Sequence, residues 1–346
     1  MGVFMRSTVL LTFSLLASVS TYAQEEQTNV PPTATPPPTE ATAKPTKPSL
    51  AAESENEVFE QVIPEFFYQP GKRRKSLELG LILIPVSTAD TISLPSGVKS
   101  GEIRTSGGGV FVRFGYGLKG GTAFGFRVSY LSEKADIVPA AGAITTLKAK
   151  GLQDFSLSAQ RVFEGESTNF YIGVNGKIGN DKAKQATTTA DGNEMSGGWS
   201  ATPRLGVSST VATNFTLGAA AEYTHKGDRT VNDNGSPSSD YTYKGGNSFT
   251  ATGLLEYQAH GGTVSASIGV TNADSSSSYK QGVLQSTTKA KTYPSLGVGT
   301  VIRANKIITL VGDAGAAFMP EEELSTTLKI SSYTVSVLSG AVRMEF

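Results

Sequence analysis

The chain contains two histidines, His225 and His260, and no cysteine. Thiol nucleophiles, disulfide frameworks and thiolate metal sites are therefore excluded. His260 lies in Ala259-His-Gly-Gly262, where turn formation accounts for a polar residue. His225 stands in Tyr223-Thr-His-Lys-Gly-Asp228. A histidine-dependent lipase needs a hydroxyl nucleophile beside the imidazole, and the position two residues on is Gly227. Asp228, Asp233 and Asp240 fall in Ser/Asn/Gly-rich sequence that turns explain, without the spaced oxygen ligands of a dedicated calcium loop. The letters Gly115-Tyr-Gly-Leu-Lys-Gly120 match a phosphate cradle but open no helix. No enzyme, cofactor or metal centre is expected.

What remains is a set of charges at one parity. Glu78, Arg113, Arg127, Lys177, Arg204, Glu222, Glu256 and Arg343 each stand opposite an apolar row at period two, as do Asp154, Asp313 and Glu345. Mixed charges on an inner face either pair and fill an interior, or line a wet path and select among solutes. Burying them unpaired is costly, so a wet, narrow path is the expected outcome.

These charges need strands to hold them. Alternating segments run at about 75–87, 107–118, 122–134, 149–164, 167–180, 198–212, 214–227, 246–259, 262–273, 290–304, 306–319 and 333–346. Tight connections at 119–121, 165–166, 213, 260–261 and 305 alternate with long Ser/Thr/Gly/Asn-rich ones. An up-and-down barrel with brief turns at one rim and long loops at the other predicts that order. Apolar rows such as Leu77, Leu79, Leu81 and Leu83 form the outward face. Phe124, Phe163, Phe170, Phe215, Tyr257 and Phe346 fall at the short-turn ends of this face. Tyr130, Trp199, Tyr223, Phe249 and Phe318 fall at the loop ends. Two aromatic belts flanking an aliphatic band suit the two interfaces of a bilayer.

Val342-Arg-Met-Glu-Phe346 closes the last alternating strand with a terminal phenylalanine. With the strands and the export signal below, it resembles the bacterial outer-membrane β-barrel proteins of the porin-like class over residues 75–346. The resemblance implies an all-β fold, a transmembrane antiparallel up-and-down barrel of about twelve strands. It also implies that Phe346 is read by the barrel assembly machinery, and that outer-membrane lipid and small solutes are the partners. The expected function is a narrow passive channel for small polar or amphipathic solutes, with Glu78, Arg113, Arg127, Lys177, Arg204, Glu222, Glu256 and Arg343 lining it. The alternative is a surface-interaction protein that works through its long loops.

The start of the chain supports export. Arg6 leads into Val9-Leu-Leu-Thr-Phe-Ser-Leu-Leu-Ala17, and Thr21 and Ala23 suit a cleavage site, so 1–23 reads as a signal peptide. Residues 24–52 are Pro/Thr-rich and read as a disordered periplasmic tether, with reach to the cell wall. Residues 53–74 read as a short amphipathic segment interrupted by Pro64. Lys+Arg and Asp+Glu are equal at 30 each, so no global field points to nucleic acid. The basic run Lys72-Arg-Arg-Lys75 suits lipid headgroups on the periplasmic side.

Overall fold

The computed structural model describes residues 68–94, 96–179, 183–184, 186, 190–232, 240–325 and 328–346. The signal peptide, the tether and the first fifteen residues of the amphipathic segment lie outside the described residues. Residues 68–74 contain a turn and no helix.

In chain order the strands begin with β1 (Lys75–Ser93), β2 (Lys99–Gly117), β3 (Thr122–Pro139), β4 (Thr145–Leu152), β5 (Phe155–Phe163), β6 (Thr168–Ile178) and β7 (Ala183–Lys184). Next come β8 (Trp199–Ala212), β9 (Phe215–Lys226), β10 (Arg229–Asn232), β11 (Asp240–Gly245), β12 (Ser248–Ala259) and β13 (Gly262–Ala273). The series ends with β14 (Ser276–Lys280), β15 (Val283–Thr288), β16 (Lys291–Arg303), β17 (Ile308–Met319), β18 (Glu322–Ser325), β19 (Leu328–Ile330) and β20 (Tyr333–Glu345).

Twelve of these make a closed antiparallel barrel in the order β1-β2-β3-β5-β6-β8-β9-β12-β13-β16-β17-β20, with β20 returning to β1. β4 carries the fourth wall strand upward from β5 along β3. Closure is what a bilayer demands, because an open sheet edge would leave backbone groups unsatisfied in hydrocarbon. At the seam Lys75 and Phe346 exchange two backbone hydrogen bonds, of 2.8 and 3.0 Å. The β1/β20 ladder runs from Ser76/Glu345 to Leu83/Leu338 and stops below Pro85. There β1 bulges between Ile84 and Ser87, since proline has no N–H to give to the ladder.

Period-two alternation sorts the side chains. Leu81 is 66% exposed on the outer wall, whereas Arg343 on the inner wall is 3% exposed. Every aromatic of the two expected belts is exposed, and Phe215 and Tyr257 meet across paired strands at 4.8 Å between centroids. The inner wall is not wholly polar. Phe111, Leu131, Val162, Tyr171, Ala220 and Leu254 are buried within it. The short turns occur where expected, and Asn305 fixes one of them by accepting from the N–H groups of Ile307 and Ile308 at 2.8 Å each.

The long connections are more regular than their composition suggests. β1/β2 and β3/β4 continue as hairpins well past the outer aromatic belt. β7, β10, β11, β14 and β15 assemble a second, five-stranded sheet from the loops. Ala183, Val231, Tyr241 and Tyr243 form its buried cluster. Thr and Tyr are good strand formers on a half-buried pleat, so Ser/Thr-rich sequence builds sheet once a partner strand is supplied.

Candidate functional site

The inner-wall charges fall into separate groups. At the short-turn rim, Glu78 on β1 and Arg343 on β20 are register partners across the seam. Arg343 Nε donates to Glu78 Oε2 at 3.0 Å, and Arg113 on β2 approaches the same oxygen at 4.0 Å. Both members of the closer pair are buried, so each needs the other.

Tyr68 completes this group from outside the barrel sequence. Its ring centroid lies 3.6 Å from Arg343 Cζ and 6.0 Å from Arg113 Cζ, and its hydroxyl donates to Glu345. The chain reaches this position along the inner face of β2. A side chain at Gly117 would meet the carbonyls of Pro70 and Gly71 at 2.4 and 2.2 Å, so only glycine lets the segment lie there. Gln69 Nε2 adds a 3.1 Å hydrogen bond to the Gly121 carbonyl. The segment ahead of β1 therefore enters the short-turn mouth and places an aromatic on its charged pair. This contact had a sequence signal only in the tyrosine's position just before the basic run.

Higher on the wall, Arg127 of β3 packs its guanidinium over Phe111, 4.4 Å from the ring centroid, and its Nε donates to Ser129 Oγ at 3.3 Å. Phe111 lies across Gly80, where an added Cβ would meet the ring at 2.4 Å. Lys177 faces inward near the top of β6, and Arg204 on β8 stands 2.9 Å from Glu222 on its register partner β9. Glu256 is buried on β12 toward the short-turn rim, apart from these groups. Thus the wall brings together Glu78, Arg113 and Arg343, with Arg127 as Arg113's register partner on β3, and separately Arg204 and Glu222, while Lys177 and Glu256 stand elsewhere. Phe346 lies on the outer wall and is 63% exposed. His225 also points outward, its ring 5.4 Å from that of Trp199.

A closed barrel of this strand count, apolar outside and charged inside, superposes on an outer-membrane channel from Pseudomonas putida F1. The TM-score is 0.54 at 12% identity, covering 83% of this chain and 100% of that one. The fold is that of an outer-membrane β-barrel. Weaker matches include the P. putida toluene transporter TodX, with a TM-score of 0.44, 12% identity and coverage of 79% and 90%. The KdgM porin matches with a TM-score of 0.36, 9% identity and coverage of 76% and 97%. No protein-family model and no curated protein matches the sequence.

At the loop rim of the β-barrel, residues 190–198 are tied to the wall. Gly192 N–H donates to the Lys148 carbonyl at 2.8 Å, Lys150 pairs with Asp191 at 2.7 Å, and Ser196 N–H donates to Asp154 Oδ1 at 2.9 Å. The Lys150 ammonium holds the Asp191 carboxyl below the usual carboxylate range. On the β18/β19 hairpin, Lys289 does the same for Glu323.

Proposed function

We propose that the chain is a passive channel of the bacterial outer membrane for small polar or amphipathic solutes. The observation that carries this reading is the sorting of the wall. Large aliphatic and aromatic side chains face out, and Glu78, Arg113, Arg127, Lys177, Arg204, Glu222, Glu256 and Arg343 face in. Charges concentrated on the inside of a membrane barrel suit a wet lumen. In this reading the chain's ends are periplasmic, the N-terminal tether reaches toward the cell wall, and Phe346 hands the last strand to the assembly machinery. Passage requires no covalent chemistry. Single-channel recording of the full-length protein in planar bilayers tests it. Discrete conductance steps are expected, and a folded, inserted barrel that passes no current would refute the reading.

A second reading is favoured by the five-stranded loop sheet, whose fixed outer surface suits partner binding. Deleting residues 229–245 separates the two. Loss of cell-surface binding with conductance intact supports the interaction role.

A further inference from the structure

Cross-strand pairing joins five basic residues of the inner wall, with Glu78, into one row. Directly paired residues of an antiparallel sheet point to the same face. Arg343 pairs with Glu78, Glu78 with Arg113, and Arg113 with Arg127. From Arg127 the row continues to Ser156 on β5 and Lys177 on β6. It then passes to Ser200 on β8 and Lys226 on β9. Strands tilt in a barrel, so a row that follows the ladder climbs the wall. Arg343 stands close to the C-terminus at the short-turn rim, and Lys226 ends β9 at the loop rim. The row therefore spans the apolar band, about 25 Å tall in barrels of this kind.

Its charge is one-sided. Arg343, Arg113, Arg127, Lys177 and Lys226 are basic, and Glu78, the one acid in the row, lies between Arg343 and Arg113. Among the described residues no ion pair forms at contact distance at Arg127, Lys177 or Lys226; Arg127 touches Ser129 and Phe111, and Glu78 and Asp313 act on it, as Asp154 does on Lys177, only from further away. The acids nearest this part of the wall hold other groups at contact distance and reach the row only at longer range. Asp154 accepts from Ser196 N–H, Asp313 accepts from Ser339 Oγ at 2.8 Å, and Glu222 pairs with Arg204. Enclosed cations without an acid at contact distance are met by water or by an anion. Water screens their mutual repulsion, and a mobile anion neutralises it.

We propose that this row is an anion ladder, a path for small solutes that carry carboxylate or phosphate groups. Lys226 and Lys177 receive the anion at the loop rim, and Ser200 and Ser156 donate hydrogen bonds between the charged steps. Arg127 and Arg113 offer planar forks that match an oxyanion. The ladder ends at Arg113, next to the Glu78/Arg343 pair beneath Tyr68. The ladder rests on the channel reading and adds to it the sign and class of the solute.

Reversal potentials of the full-length protein across a KCl gradient test it. Wild type should favour chloride over potassium by roughly threefold or more at 0.1 M and less at 1 M, where charges are screened within about 3 Å. Lys177→Glu with Lys226→Glu should invert the preference, and Lys177→Met with Lys226→Met should bring it near unity. Lys134→Glu, on the outer wall, should leave it unchanged. Citrate added on the loop side should block the wild-type current at about tenfold lower concentration than that of the Met pair, a factor set by two lost charge contacts. Heat-shifted electrophoretic mobility verifies that each variant is folded. A conducting wild type that prefers cations, or Met variants with unchanged selectivity and block, overturns the ladder and leaves the channel standing. A folded, inserted wild type without current overturns both.

Discussion

Tyr68 and Arg343 are in contact, with the phenol centroid 3.6 Å from the guanidinium carbon, although they are separated by almost the whole described chain. The residue that stacks on the last strand precedes the first. A cation over an aromatic face in a partly dry site contributes on the order of 1–2 kcal/mol, enough to hold the Tyr68 segment in the mouth most of the time.

Replacing Tyr68 should therefore widen the short-turn mouth. Tyr68→Ala is expected to raise single-channel conductance by about twofold, as the narrowest polar section of a pore dominates its resistance. Tyr68→Phe keeps the stacking, loses the hydrogen bond to Glu345, and should conduct like wild type. Equal conductance in all three proteins would show that Tyr68 does not narrow the path.

The Glu78/Arg343 pair should matter more to stability than to conduction. Glu78→Gln takes the register-partner carboxylate from a guanidinium that is 3% exposed, a change that costs about 3–5 kcal/mol. Urea unfolding in lipid vesicles should show this loss. The apolar double variant Glu78→Leu with Arg343→Met should recover most of it. If the double variant is no more stable than the single one, the pair is not the source of the cost.

Gly80 is required by the ring of Phe111. A side chain there would meet that ring at 2.4 Å and Ala341 Cβ at 2.9 Å. Gly80→Val is expected to cost about 1–3 kcal/mol by overpacking, and Phe111→Leu in the same chain should return much of it. Because Arg127 rests on Phe111, Gly80→Val should also shift ion selectivity, which bilayer recording can read.

The tie at the loop rim depends on pH in a defined direction. Asp191 has its carboxyl held down by Lys150. A carboxylate lowered on folding contributes fully at neutral pH and loses that contribution as pH falls below the ordinary aspartate range and through its folded value. Exchange of the Gly192 amide, which bonds to Lys148, should become faster at pH 3 than at pH 6 after correction for intrinsic rates. Asp191→Asn should remove the difference. Protection unchanged at pH 3 in wild type would exclude this role for Lys150.

Phe346 tests assembly apart from transport. Its side chain lies on the outer wall, away from the charged row. Deleting it should lower the amount of inserted barrel several-fold, in keeping with loss of an interfacial aromatic. Molecules that do insert should keep wild-type selectivity. Normal insertion yield in the deletion would refute an assembly role.

The wall strands were legible because two environments meet across one pleat. Leu77 and Leu79 flank Glu78, and Val112 and Phe114 flank Arg113, so a charge that cannot face lipid marks which face of the pleat is the inner one. The inward parity of Glu78, Arg113 and Arg127 followed from the same count. Other features were hidden for reasons equally physical. Phe111 and Tyr171 are apolar on the inner face, so they look like noise in an alternating pattern. Lys226 follows the outward His225 at a strand end, where parity is weakest. Ser276–Lys280 reads as loop by composition, yet it pairs on both sides once β11 and β15 are alongside. Tyr68 could not be placed, since its partner is supplied by closure and no local pattern announces it. The row from Arg343 to Lys226 depends on register between strands, which a single strand's sequence does not specify.

The two hydrogen bonds between Lys75 and Phe346 carry a consequence for the birth of the molecule. The first wall strand leaves the ribosome with no neighbour on one side, and that neighbour is the last to be made. Until then every partial wall has two raw margins, each able to pair with a stranger. Such a chain cannot complete itself piece by piece during synthesis. It must travel unfinished and be joined in one late event, slowed by the long search between its two ends.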